Sequence, residues 1–369
     1  MKQDFSAWKK YHDSDNLNVF NTEPMGQLWL KTKSIIRTEL LSEYVEKYKL
    51  VLNSKGLTKQ FEELFSLMSK DIKSFNENLD IFIRAKNKEI LAKLDRQKLV
   101  SELYKLKNFE WGGDYQNSLD KYLVSHYVKV ISSYDELISK FDKEINRAVQ
   151  GYVLNSWYNH WSNILIEHIF KSHKSILPTV GQIKSVDFFI NNIPFDLKVT
   201  YFPSEYLKLK RKEKGLPVEL TFLKAKAREF DIKFSKDSNP SDIYYEITEK
   251  FKDSGKKECT NAIKELKESN IAIVNEAKKS PKLLSKWLYE NQGEMRFGSE
   301  NRIFLVLIDT EDFTQSWKLK RNLDLLTPGI NNFLDNFSKK KLTDLEINFQ
   351  YKDKPQNFKS FADIIFVVK

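Results

Sequence analysis

The chain has 369 residues, and its 61 lysines and arginines outnumber 51 aspartates and glutamates for a formal charge of +10. That excess suits a polyanionic partner such as nucleic acid, and 41% hydrophobic with 13% aromatic residues excludes wholesale disorder. A single cysteine, Cys259, excludes an intrachain disulfide and a cysteine metal cluster.

A reducing, cytoplasmic compartment fits that cysteine usage. Residues Met1 to Phe5 lack the apolar core of a secretion signal, and no run reaches the length of a membrane span, so no membrane partner is expected. In chain order, residues 1–23 read as a polar lead-in with turn signals at Asp13–Asn16. The spacing of Leu28, Ile35, Ile36, Leu40, Leu41, Tyr44, Val45 and Tyr48 predicts a helix from Gln27 to Leu52. Phe61, Phe65, Met68, Ile72, Phe75, Leu79 and Phe82 step by four and three, a heptad seam suited to a bundle or a long helical hairpin. A helix over 86–107 follows, then a break at Asn108–Asp114, then a helix through Leu119, Leu123, Val130, Leu137 and Phe141. No strand pattern is visible before residue 148, which predicts an α-helical domain over 1–148 serving as scaffold, dimerisation arm or DNA grip.

From 149 the pattern becomes mixed α/β. Leu154, Trp157, Trp161, Leu165 and Ile169 mark a helix from Tyr152 to His173, with Glu167 at the margin of its apolar stripe. His160, His168 and His173 share that helix, but not at a metal-pairing spacing. Ile176–Gly181 reads as a bend. Then come two short apolar runs, Val186–Ile190 and Ile193–Val199, separated by Asn191-Asn192. Asparagine tolerates positive φ, so the pair predicts a two-residue hairpin turn. If Ile190 faces Ile193, counting outward sets Asp187 opposite Asp196, and alternation puts Lys198 on the same face. Opposed side chains have Cβ atoms roughly 5 Å apart. At an effective dielectric of about 20, two carboxylates there repel by roughly 3 kcal/mol. A hard divalent cation between them would reverse the sign.

Past the hairpin, Tyr201, Phe202 and Tyr206 precede a basic run of Lys208, Lys210, Arg211 and Lys212, which is either a phosphate-contacting element or a solvated helix face. Helical patterns cover 241–270 and 281–291. Arg302–Asp309 reads as a central strand buried on both faces. Arg296 in the loop before it and Arg302 at its start are further candidates for phosphate contact. A helix over 315–337 and strands over 345–351 and 363–368 complete an α/β domain over 149–369. No nucleotide-binding P-loop and no serine nucleophile elbow is present.

Asp187 followed by Asp196-Leu197-Lys198 resembles the motif of the PD-(D/E)xK nuclease superfamily, the restriction-endonuclease-like fold, with Val186 where the motif carries proline. The resemblance covers residues 186–199, extended to 152–199 if the preceding helix is included. It implies a mixed-sheet restriction-endonuclease-like core preceded by the all-α domain, and a type II restriction endonuclease or phage-defence enzyme. By that resemblance Asp187, Asp196, Glu167 and the Leu197 backbone carbonyl would hold one or two Mg²⁺ ions, with Lys198 beside the attacking water. Double-stranded DNA would be the substrate, a homodimer the cutting unit, and a separately encoded methyltransferase the companion activity. A repair, recombination or structure-specific nuclease of the same fold stays open, as does a non-catalytic helical nucleic-acid-binding protein.

Overall fold

The computed structural model describes residues 4–108, 119–235, 238–291, 300–351 and 356–369. No strand occurs among the described residues before 176, as the pattern predicts. The helices there are α1 (Phe5–Asp13), α2 (Pro24–Ser34), α3 (Thr38–Lys47), α4 (Leu57–Met68), α5 (Ile72–Ala92), α6 (Arg96–Tyr104), α7 (Leu119–Leu123), α8 (Tyr134–Lys140) and α9 (Asn146–Ser172). Several are shorter than periodicity suggests, and at α5 and α6 a side chain caps a new start, whereas α9 begins six residues before the predicted Tyr152. The heptad seam divides between α4 and α5, where the Asp71 carboxylate accepts the Ser74 N–H. Asp95 accepts the Lys98 N–H in the same way and starts α6.

Beyond α9 lie β1 (Ile176–Ile183), β2 (Val186–Ile190), β3 (Ile193–Tyr201), α10 (Ser204–Glu213), α11 (Glu219–Glu229), α12 (Pro240–Asp253), α13 (Lys257–Lys279) and α14 (Pro281–Asn291). The chain closes with β4 (Arg302–Ile308), a 3-10 segment Phe313–Arg321, α15 (Leu323–Phe337), α16 (Leu342–Leu345), β5 (Glu346–Gln350) and β6 (Asn357–Val368). The bend expected at Ile176–Gly181 is thus part of β1. Pro178 is tolerated because β1 is an edge strand, where a missing N–H need not break a ladder.

The six strands form one mixed sheet in the order β1-β2-β3-β4-β6-β5. β1, β2 and β3 run as an antiparallel meander, β3, β4 and β6 are parallel, and β5 returns antiparallel to β6. Every residue of β4 is buried, which explains its unbroken apolar run. Its alternate residues face two cores. Ile303, Leu305 and Leu307 meet Ile166, Ile169 and Phe170 of α9 and Leu326, Ile330 and Leu334 of α15. Phe304, Val306 and Ile308 meet α10, α13 and α14 through Tyr206, Ile273 and Leu288. The helices α11, α12 and the start of α13 keep a separate small core around Leu223, Ile247, Phe251 and Cys259.

The N-terminal helices share a core with the sheet. Trp8, Trp29, Phe65, Leu79 and Phe82 cluster with Leu177 and Ile183 of β1 and Val186 and Phe189 of β2. Polar bonds fix the join: Ser34 Oγ accepts the Val180 N–H at 3.1 Å, and the buried Lys31 ammonium donates to Asp80 at 2.7 Å and to Asn192 at 2.8 Å. A side chain at Gly181 would collide with the Ser34 carbonyl, so glycine is what permits α2 to lie this close to β1. Among the described residues, no helix is long and apolar enough to cross a membrane.

Candidate active site

The hairpin forms as its sequence predicts. Asn191 and Asn192 have φ of 50° and 68°, and the ladder pairs Ile190 with Ile193, Phe189 with Pro194 and Phe188 with Phe195. The same register leads next to Asp187 and Asp196. There the backbone ladder stops, and the Leu197 N–H donates to Asp187 Oδ2 at 2.7 Å. On its other side β3 is tied to β4: the Asp196 N–H donates to the Asn301 carbonyl at 2.9 Å, and Asp196 pairs with Arg302 in the parallel register. The hairpin therefore opens at its acidic end, with a side chain bridging the gap. A residue's N–H and C=O project to the same side of a strand, so the Leu197 carbonyl points to this opening too.

Electrostatics sharpen the picture. Burial, and after it the Asp196 charge, push the Asp187 carboxyl up to about 6, with the Leu197 N–H pulling the other way. Asp196 is raised chiefly by burial, while Arg302 and Lys198 hold it down. Burial lowers the Lys198 ammonium despite the neighbouring carboxylates, which decides a balance that composition leaves open. Two half-buried acids thus resist ionising together, beside a lysine that loses its proton more readily than usual.

Glu167 comes to the same region from α9, and its charge raises both Asp187 and Asp196. Its carboxylate is bonded to Lys171 at 2.7 Å, one helical turn on. Arg302, expected at a phosphate-contacting surface, is instead 2% exposed and turned into the acid cluster. Its Nε lies 3.5 Å from Asp196 and its Nη2 2.9 Å from Glu300, and its guanidinium stacks 5.1 Å from the Tyr289 ring centre. Placing it required the parallel register of β3 and β4, which no local pattern reveals.

The basic run on α10 changes character. Arg211 is 1% exposed and donates to the Pro217 carbonyl, Ser269 Oγ and Asn270 Oδ1, each at 2.7 Å. It holds the α10–α11 connection to α13 and is turned away from the surface expected to meet phosphate. Lys208 and Lys210 pair with Glu205 and Glu213 on their own helix, and Lys212 is exposed. Arg296 lies outside the described residues. Sequence reasoning also missed Lys320, whose buried ammonium donates to Asn159 Oδ1 at 2.9 Å and is pushed down to about 8 by burial and by the Lys198 charge.

No family model, curated protein or solved structure matches the chain. The chemistry of the site has to be built from its side chains. Among the described residues, no three His, Cys, Asp or Glu side chains are gathered into a metal cage. Glu167 is engaged by Lys171 at the margin of the acid pair. Mg²⁺ keeps most of its water and takes one or two carboxylates. Asp187 and Asp196, half-buried in facing register with their ionisation penalised, suit that ion, and the Leu197 carbonyl adds an oxygen on the same edge.

Proposed function

We propose that this protein is a Mg²⁺-dependent endonuclease of the PD-(D/E)xK type that hydrolyses phosphodiester bonds of double-stranded DNA, acting in sequence-specific restriction or phage defence. The observation that carries the proposal is the pair Asp187 and Asp196 at the open end of the β2–β3 hairpin, with Lys198 on the same face of β3. The sheet is compatible with a restriction-endonuclease-like core, since an antiparallel hairpin feeds its second strand into a parallel neighbour.

Asp187, Asp196 and the Leu197 carbonyl would hold the ion, which when bound polarises the phosphate and acidifies water. The Leu197 N–H keeps Asp187 aimed at the opening. Arg302 orients Asp196, and the carboxylates of Asp196 and Glu300 offset its buried charge in turn. Lys198, with its ammonium weakened by burial, would orient the attacking water and take up or share its proton. Glu167, held by Lys171, adds negative charge at the margin of the site and favours a cation there.

The test is cleavage of methylated and unmethylated plasmid with Mg²⁺ by wild type, Asp196→Ala and Lys198→Ala. Cutting by wild type alone, with all three proteins equally folded by circular dichroism, supports the proposal. A folded wild type that leaves every duplex intact overturns it.

A further inference from the structure

A second concentration of charge lies beside the acids, in a cleft of about 490 Å³ between α5, the end of α9 and β1. Arg84 and Lys88 from α5 line it together with Lys171, Lys174, His168 and His173, and among the described residues no acidic side chain lines the space. Outside it, Glu167 takes up Lys171, and Asp335 lies 3.3 Å from His173 and 3.8 Å from Lys174. Arg84 donates one N–H to the Ile176 carbonyl at 2.8 Å, and neither it nor Lys88 has an acidic neighbour lining the cleft. The cleft is therefore a cationic concavity on a rigid frame, since Arg84 and the buried Asn87 both bond to backbone carbonyls that anchor α5 against β1 and α9.

Its position matters as much as its charge. Pro178 lines the cleft and pairs in the sheet with Phe188, the neighbour of Asp187. The Thr179 hydroxyl donates to the Asp187 carbonyl at 3.0 Å. Lys171 belongs to both places: it lines the cleft, bonds Glu167 and lowers Asp187 by its charge. Lys171 and the Pro178–Thr179 segment of β1 thus link the cleft to the Asp187 end of the hairpin.

We infer that this cleft, and not the face of α10, seats the backbone phosphates that flank the reaction centre on the nucleic-acid strand, a step that rests on the nuclease reading. Arg84 and Lys88 supply the uncompensated charge and Lys174 the outer wall. The contacts are to phosphate, so they fix the strand's register over the acids without reading its bases. A grip of this kind shows as salt dependence, because each neutralised phosphate releases counterions.

The experiment is fluorescence anisotropy of a short labelled DNA duplex in EDTA over a range of salt. It compares wild type, the Lys88→Glu/Lys174→Glu double variant, and a Lys208→Glu/Lys212→Glu double variant of equal charge change on α10. The cleft variant should bind about tenfold or more weakly and lose about two from its log–log salt slope, while the α10 variant shifts much less. Equal losses in both variants would show a general charge effect and overturn the assignment. So would a labelled mononucleotide binding as tightly as the duplex, which would make the cleft a small-phosphate site. Cleavage with Mg²⁺ separates the two proposals. Wild type that binds through the cleft but never cuts refutes the nuclease reading alone. Wild type that cuts, beside a cleft variant with unchanged KM and binding, refutes the cleft alone.

Discussion

Across the open end of the β2–β3 hairpin, the Leu197 amide donates to Asp187 Oδ2 at 2.7 Å, where a backbone carbonyl would otherwise continue the ladder. One carboxylate therefore both closes a structural gap and faces Asp196. The two roles conflict in the absence of a cation, because the raised pKa of Asp187 means that ionising it costs the fold free energy.

Replacing Asp187 with asparagine separates these roles, since the amide oxygen can still accept the Leu197 N–H. The Asp187 carboxyl rises from 3.8 to about 6 on folding, so the folded state binds the proton more tightly than the unfolded chain. The penalty is absent below pH 4, grows between 4 and 6, and is complete above 6, where the shift corresponds to about 3 kcal/mol at most. Asp187→Asn should therefore melt several degrees above wild type at pH 7.5 in EDTA, with the gain vanishing toward pH 4. Thermal melts across that range check it, and a variant less stable at pH 7.5 would mean that the ionised carboxylate is net stabilising.

Mg²⁺ should reverse that ranking. An ion that binds only the folded state stabilises it by mass action, and the carboxylates are what it binds. Wild type should gain melting temperature as Mg²⁺ is raised through the millimolar range, while Asp187→Asn and Asp196→Asn gain little. In the cleavage assay, the acid limb of the pH–rate profile should move to lower pH with rising Mg²⁺, because the cation favours the ionised form of both acids. An acid limb that ignores Mg²⁺ would assign it to another group.

The hairpin and its register were legible in the sequence because they are local: two asparagines set the turn, and alternation carries the count to Asp187 and Asp196. The buried strand β4 was legible because the six residues Ile303–Ile308 run without a polar interruption. What local pattern does not contain is which strand pairs with which. Arg302 looked like a surface cation before the central strand, and only the parallel pairing with Asp196 turns it inward. Arg211 misled in the same way, since the Asn270 that receives it lies on a distant helix. The cationic cleft gathers residues from α5 and α9 whose individual spacings carry no motif, so no scan along the chain could have assembled it.

Arg302 is expected to matter for the fold before it matters for cleavage. It lies buried between the half-buried Asp196 and Glu300, the latter 5% exposed, so truncation would leave both carboxylates without their cation. Removing one partner of a buried pair costs about 3–5 kcal/mol. Arg302→Ala should lose that much in urea denaturation at pH 7.5, and Arg302→Lys should recover only part, because one ammonium cannot bond both acids while stacking on Tyr289. The deficit should shrink at low pH as Asp196, whose carboxyl is raised by burial, takes up its proton. An unchanged deficit at pH 4 would trace the loss to packing instead of charge.

Arg211 provides the contrasting case on α10. Its guanidinium satisfies the Pro217 carbonyl, Ser269 and Asn270, and Asn270 in turn donates to Glu219 at 2.7 Å. Arg211→Met keeps the apolar stem and removes every donor, leaving the buried Asn270 amide oxygen without this partner. An unsatisfied buried group costs about 1–3 kcal/mol, so the variant should lose about that much stability in urea. Its DNA affinity and salt slope, measured well below its melting temperature, should stay within about twofold of wild type, since a cation turned inward releases no counterion from the strand. A shallower salt slope with intact stability would return Arg211 to the DNA-contacting surface and place α10 on the strand's path.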